Sequence, residues 1–125
     1  MASQHPPLRI MVVDDNRDAA DLITEFLVMC GHDAKPAYGG AEALQTANSF
    51  IPDVVFLDLG MPDISGIQVA QMLRQEVHSE NVKIIALTAW GDDAMRAQTK
   101  ANGFNFHLTK PAAFADILSV LDVAG

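Results

Sequence analysis

Val54-Val55-Phe56-Leu57, followed at once by Asp58, is the stretch that decides the fold of this chain. Four successive apolar residues with no polar alternation suit a strand buried on both faces, and such strands belong to parallel sheets covered by helices on either side. Leu8–Val13 (LRIMVV) and Val82–Leu87 (VKIIAL) read the same way. Between and after these runs the apolar period lengthens. From about Asn16 to Cys30, the residues Ala19, Leu22, Ile23, Phe26, Leu27 and Cys30 recur at steps of three and four, one face of a helix that Gly31 ends. A second helix is expected over about Gly40–Asn48, with Leu44 and Ala47 inward. A third follows the N-cap Ser65, with Ile67, Ala70, Leu73 and Val77 inward. A fourth, about Asp92–Asn102, has only the thin apolar face of Ala94, Ala97 and Ala101. The fifth starts after Pro111 and packs Phe114, Ile117, Leu118 and Leu121. Two weaker strands complete the set. Pro36 restricts Asp33–Ala37 to a sheet edge, and Phe104–Leu108 alternates Phe104, Phe106 and Leu108 against Asn105 and His107, as a half-buried edge strand would. The chain is thus predicted to be a five-unit β–α protein, a parallel sheet between two helical layers.

The 125 residues suffice for one domain, expected over residues 8–125 after a disordered arm at 1–7. With 16 acidic against 8 basic side chains and a formal charge of -8, the composition argues against direct nucleic-acid binding, which needs clustered Lys and Arg. The single cysteine, Cys30, has no partner for an internal disulfide and reads as a small core residue. The opening MASQHPPLRI lacks the apolar segment of a signal peptide, and no apolar run approaches the roughly 20 residues of a membrane span. A cytoplasmic protein without membrane insertion is expected.

The residues that follow the strands carry the chemistry. Asp14 and Asp15 follow the first, Asp58 the third, Thr88 the fourth and Lys110 the fifth. In an open α/β sheet the carboxyl ends of the strands share one edge, where ligands bind. Three carboxylates, a hydroxyl and an ammonium are therefore expected as neighbours. Taken singly, each has an ordinary explanation as a cap, a turn former or a solvated side chain. Together they do not: two carboxylates about 4 Å apart repel by about 4 kcal/mol at an effective dielectric near 20. A cluster of three needs raised pKa values or a cation. A hard divalent ion with oxygen ligands answers that need, and magnesium suits a site that also holds a phosphoryl group. Lys110 and Thr88 would then supply a point charge and a hydroxyl donor to phosphoryl oxygens.

The motifs VVDD (Val12–Asp15), LDLGMPDISG (Leu57–Gly66), ALTA (Ala86–Ala89) and LTKP (Leu108–Pro111) resemble those of the response-regulator receiver domains of two-component phosphorelays, in order and spacing, over about residues 8–122. The resemblance implies a flavodoxin-like (βα)5 sandwich with strand order 2-1-3-4-5. It implies that Asp58 is the phosphoacceptor, taking phosphate from the phosphohistidine of a histidine kinase or phosphotransfer protein. It implies that Asp15, Asp58 and the Gly60 backbone carbonyl ligate Mg2+ directly, with Asp14 acting mainly through water. Lys110 would contact Asp58 and then the phosphoryl group, and Thr88 would move to hydrogen-bond it. The Lys110–Pro111 peptide would be cis. Such a domain is a signalling switch acting on an unknown downstream protein, and catalyses only its own phosphoryl transfer and slow dephosphorylation. The wording LGMP and GFNFHLTKP is similar to receivers attached to hybrid histidine kinases.

Two positions depart from the family pattern. Three residues before Lys110, where the family usually carries Tyr or Phe as a switch residue, stands His107, as a pH-sensitive switch residue or as a solvated edge-strand histidine. Two residues after Thr88 stands Trp90, an apolar ring that would shield the site from water if folded inward and is otherwise a partly buried loop aromatic. Other functions fit less well. A magnesium-dependent phosphohydrolase often places a second Asp two residues after its nucleophile, where this chain has Gly60. A receiver-like protein that only binds partners would be expected to lack some of Asp15, Asp58, Thr88 or Lys110. A calcium loop over Asp14, Asn16, Asp18 and Glu25 fails because its sixth position is Ala19 rather than Gly.

Overall fold

In a computed structural model, residues 6–76, 81–89 and 93–124 are described. Five strands and five helices alternate: β1 Arg9–Val13, α1 Arg17–Met29, β2 Asp33–Ala37, α2 Gly40–Phe50, β3 Val54–Asp58, α3 Gly66–Gln75, β4 Lys83–Thr88, α4 Asp93–Ala101, β5 Phe106–Thr109 and α5 Phe114–Ala124. All strand pairings are parallel and the sheet order is β2-β1-β3-β4-β5, the flavodoxin-like order. β1, β3 and β4 are the continuous apolar runs and take the three inner places. Pro36, which cannot donate to a ladder, sits in the edge strand β2. The order reverses between β1 and β3, so a crevice opens beyond their carboxyl ends.

Two cores cover the sheet. Ala20, Ile23 and Leu27 of α1 and Ile117, Val120 and Leu121 of α5 pack on Ile10, Val12, Phe56 and Leu87. On the other face Ala43 and Ala47 of α2 and Val69, Ala70 and Leu73 of α3 pack on Met11, Val13, Leu57 and Ile84. Gln71 of α3 bonds Asn102 just beyond α4 at 2.6 Å, keeping α4 beside α3. The Arg74 guanidinium at the end of α3 donates to the carbonyls of Val82 and Gly103 and to the Asn105 side chain.

Several expected faces are rotated. In α1 the buried stripe is Ala20, Ile23, Thr24 and Leu27, while Leu22 is 56% exposed and Phe26, half-buried at the edge of the core, stacks on Phe114 at 4.0 Å between ring centroids. The apolar stripe is wider than the surface the sheet can cover, and its edge is left to solvent and to α5. Phe114, expected in the core, is 41% exposed for the same reason. α2 runs past Asn48 to Phe50, whose ring is buried. In α4 the three alanines face solvent, and the buried residue is Thr99, with Met95 half-buried one turn earlier. Phe104 precedes β5 and joins the α2–α3 core, so the alternation counted from it does not hold. Within β5, Phe106 and Leu108 face the α1–α5 core. Val77, Trp90 and residues 1–5 of the expected arm lie outside the described residues.

The loop from β3 to α3 is fastened at both ends. Ser65 caps α3 in a reciprocal box with Gln68. Gly66 lies against the strand backbone: a Cβ there would stand 2.3 Å from the Asp58 carbonyl oxygen and 2.8 Å from Leu59 Cα. Two residues before Ser65, Asp63 caps α2, accepting the Gly40 and Ala41 amides at 3.1 Å each. Those amides hold the Asp63 carboxyl below its ordinary value. A carboxylate with a depressed folded pKa contributes stability that is present above its unfolded value, near 4, and disappears as pH falls through the folded one. Asp63→Asn is therefore expected to be less stable than the parent at pH 7, with the gap closing as pH drops below about 4; urea unfolding of both proteins across that range measures it, and a gap independent of pH would contradict the assignment. Gly66→Ala forces a methyl into backbone and should cost about 1–3 kcal/mol in the same measurement.

Candidate functional site

Each functional side chain ends a strand or begins the turn after it. Asp58 is the last residue of β3 and is buried, as is Thr88 at the end of β4. Leu59 N–H donates to the Leu87 carbonyl at 3.1 Å and Lys110 N–H to the Thr88 carbonyl at 2.7 Å, so the turns after β3 and β5 are both pinned to β4. From the end of β5 the long Lys110 side chain crosses the tip of β4. Its ammonium lies 3.0 Å from Asp58 Oδ1 and 3.0 Å from Asp14 Oδ2. Asp14 is buried, its amide donates to the Ala37 carbonyl and its Oδ1 accepts the Asn16 amide at 3.0 Å, so both its oxygens are engaged. Asp15 stands at the exposed rim.

The carboxylate oxygens of Asp14, Asp15 and Asp58 come within 4.8 Å of one another. The strain of that gathering falls on Asp15. Desolvation, a hydrogen bond with Asp58 and the negative charges of Asp58 and Asp14 raise its carboxyl above the ordinary range. Asp58 moves the other way: burial pushes its pKa up, but the Gly60 amide (3.1 Å from Oδ1) and Lys110 outweigh burial and keep it ionised. Burial likewise pushes Lys110 down, and its bonds to Asp58 and Asp14 more than reverse this, so the lysine is held charged. One ammonium against three carboxylates leaves two negative charges uncompensated. All-oxygen donors around excess negative charge fit a hard divalent cation.

A cavity of about 390 Å3 opens over these groups, with Asp15, Asp58, Gly60, Thr88 and Lys110 in its wall and Leu59, Ala89 and Met95 completing it. Asp14 instead borders a neighbouring, mostly apolar groove of about 380 Å3 between α1 and α5, where Leu22, Pro111 and Phe114 are exposed. The Lys110–Pro111 peptide at the head of this groove is cis. His107 sits on the opposite face of β5 from Phe106 and Leu108, paired in register with Ala86, and both its ring nitrogens are shut off from solvent. The five site residues named from sequence are thus brought together. Asp63, Gly66 and Met95 were not singled out, because their roles depend on which backbone or cavity each meets, and a single sequence does not show that.

Comparison with known proteins agrees with this geometry. The sequence profile of the response regulator receiver domain matches residues 10–122. The chain is 32% identical over 111 residues to the DNA-binding dual master transcriptional regulator RpaA of Synechocystis, covering 89% of this chain and 46% of that protein. It is 26% identical over 105 residues to the polar-differentiation response regulator DivK of Brucella anthropi, covering 84% and 85% respectively. Like RpaA, several of the curated relatives it matches are about twice the length that it spans. Among solved structures, a Francisella response-regulator receiver domain superposes with a TM-score of 0.85 at 26% identity over 94% of this chain and 95% of that one. The Vibrio cholerae chemotaxis protein CheY4 shares the fold with a TM-score of 0.91 at 24% identity, covering 96% of this chain and 100% of its own. With its sequence profile, strand order and acidic cluster in agreement, this chain belongs to the receiver-domain family of two-component response regulators.

Proposed function

We propose that Asp58 is the phosphoacceptor of this receiver, and that the chain itself catalyses the transfer from a donor phosphohistidine. The observation that carries the reading is the Lys110 ammonium 3.0 Å from Asp58, beside a carboxylate cluster at the point where the strand order reverses. An Asp58 oxygen attacks phosphorus, the N–P bond of the donor breaks, and its electron pair returns to the donor imidazole. Asp58 is suited to this because it is kept ionised and its carboxylate is held in place by the Gly60 amide. Lys110 and the Thr88 hydroxyl are placed to meet the phosphoryl oxygens as charge moves onto them.

Asp15 and Asp58, with the Gly60 carbonyl, are the groups to hold Mg2+, and Asp14, already engaged by Lys110 and the Asn16 amide, acts through water. When bound, the ion supplies positive charge to the phosphoryl oxygens and lets the three carboxylates stay ionised together. The donor, a histidine kinase or phosphotransfer protein, reaches the site along the apolar groove between α1 and α5, where exposed Leu22 and Phe114 offer contact area next to Lys110. Thr88 at the end of β4 and His107 within the adjacent β5, level with Ala86, form the switch pair through which the phosphoryl state changes binding of a downstream protein. A cytoplasmic location follows from that choice of donor.

Incubation with magnesium and acetyl phosphate is expected to add one phosphoryl mass, labile to hydroxylamine, that Asp58→Asn and chelation of the metal both abolish. Labelling of Asp58→Asn at the parent level would overturn the assignment. Asp15→Ala should lose roughly tenfold or more in magnesium affinity and Asp14→Ala less, titrated by tryptophan fluorescence at fixed ionic strength. Because the Asp15 carboxyl is raised, protons compete with the metal, and magnesium affinity should fall as pH drops through that raised value.

A further inference from the structure

The long apolar side chain on the acceptor cavity comes from α4. The remaining wall is composed of the carboxylates of Asp15 and Asp58, the Lys110 and Thr88 side chains, and Leu59, Gly60 and Ala89. Gly60 has no side chain, Ala89 offers one methyl group, and Leu59 is engaged in packing against the α2–α3 core. Among the described residues, Met95 alone in the wall combines length, flexibility and an apolar surface. It is half-buried in the first turn of α4, one turn from the buried Thr99 on the same helical face. Along the rest of α4, Ala94, Arg96, Ala97 and Gln98 are exposed.

We propose that Met95 sets the lifetime of the aspartyl phosphate, resting on the assignment of Asp58 as phosphoacceptor. Loss of the phosphoryl group requires a water whose oxygen bonds to phosphorus while the bond from phosphorus to the Asp58 oxygen breaks. The electron pair then returns to the carboxylate, and the water's protons pass to the released phosphate and to solvent. A base or acceptor near the phosphoryl group would orient that water. The thioether of Met95 is at most a weak acceptor, and its unbranched chain adapts to the space left beside a phosphoryl group. Its bulk keeps water out of the α4 side of the cavity. Met95 is a positioning residue here: it touches the cavity wall and acts on the water, not on Asp58.

The test is the decay of the phosphoprotein after the donor is removed, in the parent, Met95→Ala and Met95→Leu. Removing the side chain should shorten the lifetime at least about threefold, a change of roughly 0.7 kcal/mol in barrier. Leucine, of similar volume, should keep it within about twofold of the parent. A Met95→Ala lifetime equal to that of the parent would overturn the proposal, and so would a Met95→Leu lifetime as short as that of Met95→Ala. The Met95 methyl resonance, on the wall of the cavity, reports the site's occupancy. Shielding requires that resonance to shift when magnesium and beryllium fluoride are added, and no shift rejects it. If no hydroxylamine-labile phosphoryl group forms on the parent, the phosphoacceptor assignment fails; if it forms and decays alike in all three proteins, only the role of Met95 fails.

Discussion

The lysine that joins Asp14 to Asp58 is the constraint around which this molecule is arranged. Three carboxylates converge because parallel strands end on one edge, and the reversal of strand order puts the ends of β1 and β3 side by side. Without a cation their repulsion would act against the sheet that gathers them. Lys110, arriving from β5, offsets part of it, with both its bonds at 3.0 Å. The remaining negative charge leaves Asp15 proton-hungry at the rim while Asp58 stays ionised below. That division sorts two chemically identical side chains into one that holds its proton more readily and one that is kept ionised.

Much of this was legible in the sequence because it depends on strand ends. A run such as VVFL admits few structures other than a buried parallel strand, and the residue after it then has a known place. Asp14, Asp15, Asp58 and Thr88 follow from that rule, and Lys110 from its place just past the weaker, alternating run Phe104–Leu108. What was not legible depends on rotation about a helix axis or on close approach in space. In α1 the apolar residues cover more than one face, so periodicity could not tell that Thr24 is buried and Leu22 is not. In α4, alanines are small enough to fit either side, and the helix turned them outward to place Met95 and Thr99 on the sheet side. Gly66 looked like one more loop glycine. Its necessity appears only when the Asp58 carbonyl is seen where a Cβ would be.

The surface between α1 and α5 shows how one sequence feature serves two ends. The wide apolar stripe of α1 is larger than folding requires. Its surplus partly pairs Phe26 with Phe114 and partly stays exposed at Leu22. These exposed apolar side chains lie beside the carboxylate cluster of a chain whose formal charge is -8.

The walls of the acceptor cavity differ in stiffness. On the β3 side, the glycine contact of α3 with the strand, the capping box and the Asp63 bridge to α2 leave the loop little room to move. On the β4 side, Met95 and Thr99 are the inward side chains of α4 among the described residues, and Gln71 bonds Asn102 just beyond its end. A load placed between a rigid jaw and a compliant one displaces the compliant one. A group bound between these two walls would meet more resistance from the α2–α3 side than from α4. In such a loaded state the close contact of Gly66 with the Asp58 and Leu59 backbone would serve as the fixed point of a one-sided lever.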